Sequence, residues 1–202
     1  MSKTNLLTEL EQDYLVELFN IGIGKAANSL SQIVNQEIVL SVPAVEYITI
    51  ADLNSKMGEH KDICSVSQSV QGKFSANSML LFPEKSSLEV VKKMLGEGYS
   101  NETIAELHQE GFTEIGNIVL NACIGSLGES FQEEFKVGLP YYQIGSTSKV
   151  IQIPENDNIL FIRINLMLSE SKVQGYLVFL LESLSFTQFK SMLNKMINGL
   201  LS

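Results

Sequence analysis

The sequence predicts an α/β protein of the α+β kind. Two long adjacent helices pack on an antiparallel β-sheet, and a duplicated unit gives the whole a pseudo-twofold axis. Three observations carry this. Apolar residues recur at helical spacing over 8–34 and again over about 103–131. Short Val- and Ile-rich segments follow each helix and neighbour one another in sequence, which favours antiparallel pairing over crossover connections. The order of elements then repeats with a period of 97 residues, too long for a solenoid and suited to one duplicated domain.

Each element has its own justification. Thr8 with Glu11 makes a capping box for the first helix, and Leu15, Leu18, Phe19, Ile23, Ala26, Ala27 and Leu30 form its apolar face. Gly22 and Gly24 lower its helix propensity and are read as points of close backbone approach. Residues 36–51 read as a strand pair or one long strand, broken at Pro43, and 52–62 as a polar loop. Residues 63–82 read as two strands. Pro83 opens a short helix with Leu88, Val91, Met94 and Leu95 inward, stopped by Gly96 and Gly98. Asn101 is read as the cap of the second long helix. Residues 135–142, broken at Pro140, then 146–153, 159–168 and 173–181 read as strands, with a turn at Pro154–Asp157. Residues 185–200 form a last amphipathic helix, its stripe Phe186, Phe189, Met192, Leu193, Met196, Ile197 and Leu200. The expected layout is one domain, 1–202, made of halves at about 8–98 and 103–202.

Composition narrows the function. The chain has 202 residues, 45% of them hydrophobic and 18% charged, the balance of a globular protein. With 14 Lys+Arg against 23 Asp+Glu it carries a formal charge of −9, which argues against nucleic-acid binding. Cys64 and Cys123 are too few for a disulfide framework or a zinc site and are read as buried thiols. The start Met1-Ser2-Lys3-Thr4 is polar, so no signal peptide is expected, and no apolar run reaches the length of a membrane span. A cytoplasmic location follows. His60 and His108 lack partners at ligand spacing and are read as surface residues. Gly22-Ile23-Gly24-Lys25 lacks the phosphate-loop spacing and lies inside a helix.

The duplication carries the chemistry. Shifted by 97 residues, Asp13, Glu17 and Asn20 fall on Glu110, Glu114 and Asn117, Pro43 falls on Pro140, and Ile21, Ser29 and Leu30 fall on identical residues. The repeated pattern is acidic-x3-Glu-x2-Asn-x22-Pro. Positions i, i+4 and i+7 share one helix stripe, so each Glu and its Asn project from the same side. A carboxylate beside a carboxamide is too poor in oxygens to hold a hard cation, and the amide does not titrate. The amide can orient a water, and the carboxylate can dock an ammonium group. That suits assisted phosphoryl hydrolysis, where positioning does most of the work. The rival reading at either Asn is a hydrogen-bonded residue that fixes helix packing.

The segments Glu17-Leu18-Phe19-Asn20-Ile21-Gly22 and Glu114-Ile115-Gly116-Asn117-Ile118, each followed by its proline, resemble the CheC/CheX/FliY phosphatases of bacterial chemotaxis. The resemblance covers essentially the whole chain, and two copies on 202 residues is the layout of CheC. It implies hydrolysis of the phospho-aspartate of a CheY-type response regulator. Asn20 and Asn117 would orient the water, and Glu17 and Glu114 would pair with the regulator's Lys. Asp13 and Glu110 would support docking, and Pro43 and Pro140 would shape the adjoining strand. No cofactor or metal of the protein's own is implied, since Mg²⁺ comes with the regulator. The deamidase CheD is a further implied partner, for which the last helix is a candidate face, and a monomer is expected. Three departures stand out: Glu110 replaces the usual Asp or Ser, Phe19 stands where many members have Gly, and Lys25 stands where a small or amide residue is common. The rival from another class is a non-catalytic module, related to flagellar switch proteins, that binds the regulator or CheD. A phosphatase serving a regulator outside chemotaxis is a third.

Overall fold

The computed structural model describes residues 6–57, 62–96, 98–152, 158–168 and 171–201. The first helix, α1 (Glu9–Val34), starts as its sequence requires. The Thr8 hydroxyl accepts from the Glu11 N–H at 3.2 Å, and the Glu11 carboxylate accepts from the Thr8 N–H at 2.7 Å. It ends where Asn35 turns left-handed at φ 51°, a conformation Asn tolerates. The second long helix, α4 (Asn101–Phe131), ends the same way at Gln132, φ 54°. A shift of 97 residues carries Asn35 onto Gln132, so both helices stop at the same step of the repeat. The cap of α4 is Ser100, whose hydroxyl accepts from the Thr103 N–H, and not Asn101.

The two helices pack side by side and antiparallel. Tyr14, near the start of α1, meets Ser130, near the end of α4, at 2.7 Å. Halfway along, a Cβ on Gly22 would lie 2.9 Å from the Cys123 Cα, so only Gly lets the backbones come this close. Gly24 has open space around it, and the expected close approach is made by Gly22 alone. The apolar stripe of α1 is buried as the periodicity predicts, and Phe112, Ile115, Val119, Leu120, Cys123 and Leu127 do the same on α4.

Between and after the long helices come β1 (Ile38–Thr49), α2 (Ile50–Met57), β2 (Ile63–Gln71), β3 (Ser75–Pro83) and α3 (Glu84–Leu95). The second half supplies β4 (Lys136–Val137), β5 (Tyr141–Gly145), α5 (Thr147–Val150), β6 (Asn158–Leu168), β7 (Ser171–Leu180) and α6 (Ser183–Leu201). All seven strands join one antiparallel sheet in the order β1-β6-β7-β3-β2-β4, with β5 also on β2. The pairing interlaces the halves. β1 pairs with β6, β5 pairs with β2, and β3 meets β7 at the centre. Each half's first strand is thus stitched to the other half's second strand.

Pro43 does what a strand proline must. The β1–β6 register slips between Ser41 and Ala44, so the missing N–H falls in a bulge on an outermost strand. Pro140 interrupts the matching place between β4 and β5.

One face of the sheet packs against α1, α3 and α4 through the main core. A smaller cluster fills the other face, where Ile48, Ile63, Leu81, Phe161 and Val178 meet residues of α2 and α5. That second face explains two corrections. The segment expected as a polar loop from 52 forms α2, and residues 58–61 lie outside the described set. Thr49 caps it, accepting from the Asp52 N–H and donating to its carboxylate, and Ile50 and Leu53 turn inward. A segment this short and polar carries no clear helical period. The strand expected over 146–153 is the short helix α5, which buries Val150. The expected turn at 154–157 lies outside the described residues. On α3, Val90 and not Leu88 is buried beside Val91. On α6, Phe189, Leu193 and Ile197 are buried, while Leu200 is exposed.

Candidate functional site

The two acidic stripes lie on the outward faces of the paired helices. Asp13 and Glu17 are exposed on α1, as are Glu110 and Glu114 on α4. Each stripe ends one turn on at a half-buried Asn, Asn20 or Asn117. Among the described residues none of the four carboxylates has an ion-pair partner, so each can meet a cation brought from outside. Among the described residues there is also no group of three or more His, Cys, Asp or Glu able to hold a metal ion.

The two Asn residues, equivalent in sequence, are engaged differently. Asn20 faces the bulge of β1. Its Nδ2 donates to the Val42 carbonyl at 3.0 Å and to the Val16 carbonyl at 2.9 Å, and its Oδ1 accepts from the Val42 N–H at 2.9 Å. Both amide hydrogens are used. The side chain takes the place of a neighbouring strand for a residue on the sheet's outermost strand, where the bulge has broken the ladder. Val42 itself is buried.

Asn117 has the opposite arrangement. Its Oδ1 accepts from Gln68 Nε2 at 3.2 Å and from Asn121 Nδ2 at 2.7 Å. Among the described residues nothing accepts from its Nδ2. The acceptor end is held and the donor end is free.

The residue before each Asn explains the difference. A Cβ on Gly116 would lie 2.4 Å from the Val66 Cβ, so α4 rests directly on β2. Asn117 then reaches Gln68, two residues along the same face of β2. The counterpart of Gly116 is Phe19, fully buried with its ring centroid 5.6 Å from that of Phe179. A Phe cannot permit the same approach to the strand beneath, and Asn20 turns to β1.

Gln68 also donates to the Gly138 carbonyl at 3.1 Å, and the Gly138 N–H donates to the Ser69 carbonyl at 2.8 Å. β2 therefore holds the 138–140 loop, a task Asn20 performs for β1. Leu139, the counterpart of Val42, is released and is 90% exposed. Sequence reasoning passed over Gln68. Its signal is a lone carboxamide in the inward row Cys64, Val66, Gln68, Val70, where it is only 3% exposed.

Residues 10–47 match the model of the CheC-like family, a stretch that holds Asp13, Glu17, Asn20 and Pro43. The resemblance to the CheC/CheX/FliY group stands. The flagellar motor switch phosphatase FliY of Bacillus subtilis is 22% identical over 169 residues, 81% of this chain and 44% of FliY. The CheY-P phosphatase CheC of the same organism is 22% identical over 155 residues, 75% of this chain and 74% of CheC. The chain thus spans less than half the length of that FliY. Among solved structures, Thermotoga maritima FliY superposes with a TM-score of 0.76 at 20% identity, covering 95% of this chain and 99% of that one. A chain of the CheX–CheY–BeF3–Mg²⁺ complex from Borrelia burgdorferi superposes at 0.54 and 20% identity, covering 83% of this chain and 98% of that one. These superpositions establish a shared fold: helices on a seven-stranded antiparallel sheet, as in FliY.

His108, expected at the surface, is buried. Its Nε2 meets the Ser87 hydroxyl at 2.9 Å, and its ring stacks on Phe112. Burial depresses its basicity, partly offset by Glu84. The Cys64 thiol lies 3.6 Å from the Tyr142 hydroxyl, and burial raises the pKa of both. His60 lies outside the described residues. Ser126 is buried, and Ser130 is taken by Tyr14, so neither is placed as a nucleophile.

Proposed function

We propose that the chain accelerates hydrolysis of the phospho-aspartate of a CheY-type response regulator, and that the copy on α4 does most of the work. The observation that carries this is the free donor end of Asn117, on an exposed stripe with Glu114. In this reading Asn117 orients the attacking water. A carboxamide does not titrate, so it positions that water and takes no proton. Glu114 pairs with the regulator's Lys, and Glu110 and Asp13 line the docking face. Glu17 and Asn20 form the matching pair on α1, where Asn20 must first release Val42. Pro43 and Pro140 shape the strand segments behind the pairs. The regulator brings its own Mg²⁺, as the CheX–CheY complex suggests.

The names of FliY and CheC as phosphatases support the reading at the level of the group. We take residues 8–98 and 103–202 as two halves of one domain, monomeric and cytoplasmic. Among the described residues no helix is long and apolar enough to cross a membrane. CheD is a second candidate partner. The rival, a module that binds a regulator without hydrolysing anything, is favoured at the first copy by the Asn20 clamp.

The test is the lifetime of the phosphorylated regulator from the same organism. Wild type and Asn20→Ala are expected to shorten it, and Asn117→Ala and the double variant to lose most of the effect. Equal losses in the two single variants would give both copies equal standing. An unchanged lifetime with every regulator tried would leave the binding module.

A further inference from the structure

We infer that Gln68 is a positioning residue for Asn117, holding its carboxamide with the donor end outward. The inference rests on the phosphatase reading above and adds a residue that the repeated motif does not contain.

The geometry is specific to this half. Gln68 Nε2 has two hydrogens and both are used, one on Asn117 Oδ1 and one on the Gly138 carbonyl. A single buried amide therefore fixes two things at once: which way Asn117 points, and where the loop that exposes Leu139 runs. Turning Asn117 by half a rotation would set its NH2 against two donors, Gln68 Nε2 and Asn121 Nδ2. The pair of donors selects one orientation. Asn121 is exposed and, among the described residues, anchored only on α4, through the Asn117 carbonyl. Gln68 is buried in the sheet, and its own carbonyl is tied to the Ser78 hydroxyl at 3.0 Å. Of the two donors, Gln68 is the one held by the rigid part of the molecule.

A stability argument points the same way. The Gln68 Oε1 is buried and accepts nothing. An unpartnered buried acceptor is destabilising, and a Met or Leu in the row of Cys64, Val66 and Val70 would avoid it. The first copy manages without such a residue: Gln68 pairs with Ser78, the repeat carries Ser78 onto Gly175, and Gly175 pairs with Ile164, so buried apolar Ile164 holds the place of Gln68 and Asn20 instead binds β1 directly. The polar side chain is present where the Asn donor end is free and absent where that end is occupied.

The test compares wild type, Gln68→Met, Asn117→Ala and Gln68→Met/Asn117→Ala, using a CheY-type regulator phosphorylated by a small-molecule donor. Met keeps the shape and removes both donors. The expected result is a kcat lowered by roughly ten- to a hundredfold, the cost of a misplaced reacting group. KM and affinity for the beryllofluoride-loaded regulator stay unchanged. Gln68→Met causes no further loss on top of Asn117→Ala, because both act on one amide. In the free protein the side-chain amide signal of Asn117 in a ¹H–¹⁵N spectrum shifts in Gln68→Met, while that of Asn20 stays in place. Where Gln68→Met fails to fold, Gln68→Glu replaces it, keeping the length while losing both donors. An unchanged kcat, additive losses or an unmoved Asn117 signal overturns the inference. If wild type leaves the regulator's lifetime unchanged, the phosphatase reading fails separately. The amide signal then decides the positioning claim by itself.

Discussion

Replacing Asn20 by Ala removes three hydrogen bonds at once, two of them to one residue of the sheet's outermost strand. Val42 is 2% exposed. Its N–H and C=O lose their side-chain partner, with β1 already out of register with β6 at this point. A buried backbone group left unpaired costs about 1–3 kcal/mol. The loss at the Val16 carbonyl adds little, since that group belongs to α1. Partial relaxation toward water at the sheet edge brings the expected total to about 2–3 kcal/mol. A domain of this size loses roughly 2–4 °C of melting temperature per kcal/mol, so the expected drop is about 4–12 °C. Asn117→Ala leaves one hydrogen of buried Gln68 Nε2 without its acceptor, at a half-buried site that water can reach, and is expected to cost about 1 kcal/mol. The assay is thermal unfolding by circular dichroism, run beside the lifetime of the phosphorylated regulator. The two measurements should rank the variants oppositely: Asn20→Ala unstable and active, Asn117→Ala stable and impaired. A melting point for Asn20→Ala within 1–2 °C of wild type, or a larger drop for Asn117→Ala than for Asn20→Ala, would refute the division of labour.

Three further outcomes follow from the packing. Gly116→Ala places a methyl 2.4 Å from the Val66 Cβ and lifts α4 from β2. It should destabilise by about 1–3 kcal/mol and lower phosphatase activity more than Gly24→Ala, which meets open space. His108 is held below its ordinary value of 6.5 by burial, with Glu84 of α3 opposing. Cys64 of β2 and Tyr142 of β5 lie in the same cluster. The folded state keeps the imidazole neutral while the unfolded chain takes up a proton. That stability is therefore fully present above about pH 6.5 and is lost as the pH falls through the folded value. Melting curves from pH 7 to 5 should fall more steeply for wild type than for His108→Gln. Both cysteines are buried, and desolvation pushes Cys123 up to about 12. Ellman's reagent should find two thiols in denaturant and react slowly with the native protein.

What could be read from the sequence was whatever repeats. The capping box at Thr8, the apolar stripe of α1 and the interruptions at Pro43 and Pro140 recur or carry a local signal, and the structure places each as expected. What escaped depends on tertiary neighbours. α2 turns Ile50 and Leu53 inward from a short, mostly polar segment, so its period is invisible without the sheet beneath. His108 looked exposed because its neighbours in sequence are polar, yet a site between α3 and β5 encloses it. The strand exchange between halves has no sequence signal, because the pattern of a strand does not say which copy's partner it will take. The sequence did mark Phe19 and Gly116 as different, but only the close contact with Val66 shows that this single position decides what each Asn can do.

The inequivalence of the two copies has a physical origin in the interlaced sheet. β1 and the β4–β5 segment are its two edges, and each is broken by a proline where hydrogen bonds to the neighbouring strand lapse. Some group must hold the chain at each break. At β1 the nearest available polar side chain is Asn20, which takes on that role and gives up its donors. At β4–β5 the backbone of Ser69 and the amide of Gln68 hold Gly138 from the strand side, and Asn117 is relieved of it. The two arrangements cannot be exchanged by altering the Asn residues, which are already identical. They differ by whether the helix can settle on the strand, and so by a Gly in one copy and a Phe in the other. Phe19→Gly should therefore leave a cavity under α1 without creating a second Gln68, since the matching place on β6 is held by apolar Ile164. The expected result is a loss of about 3–5 kcal/mol with no gain in phosphatase activity. A gain in activity would show that the helix-to-strand distance alone frees the amide and that a positioning group is not required.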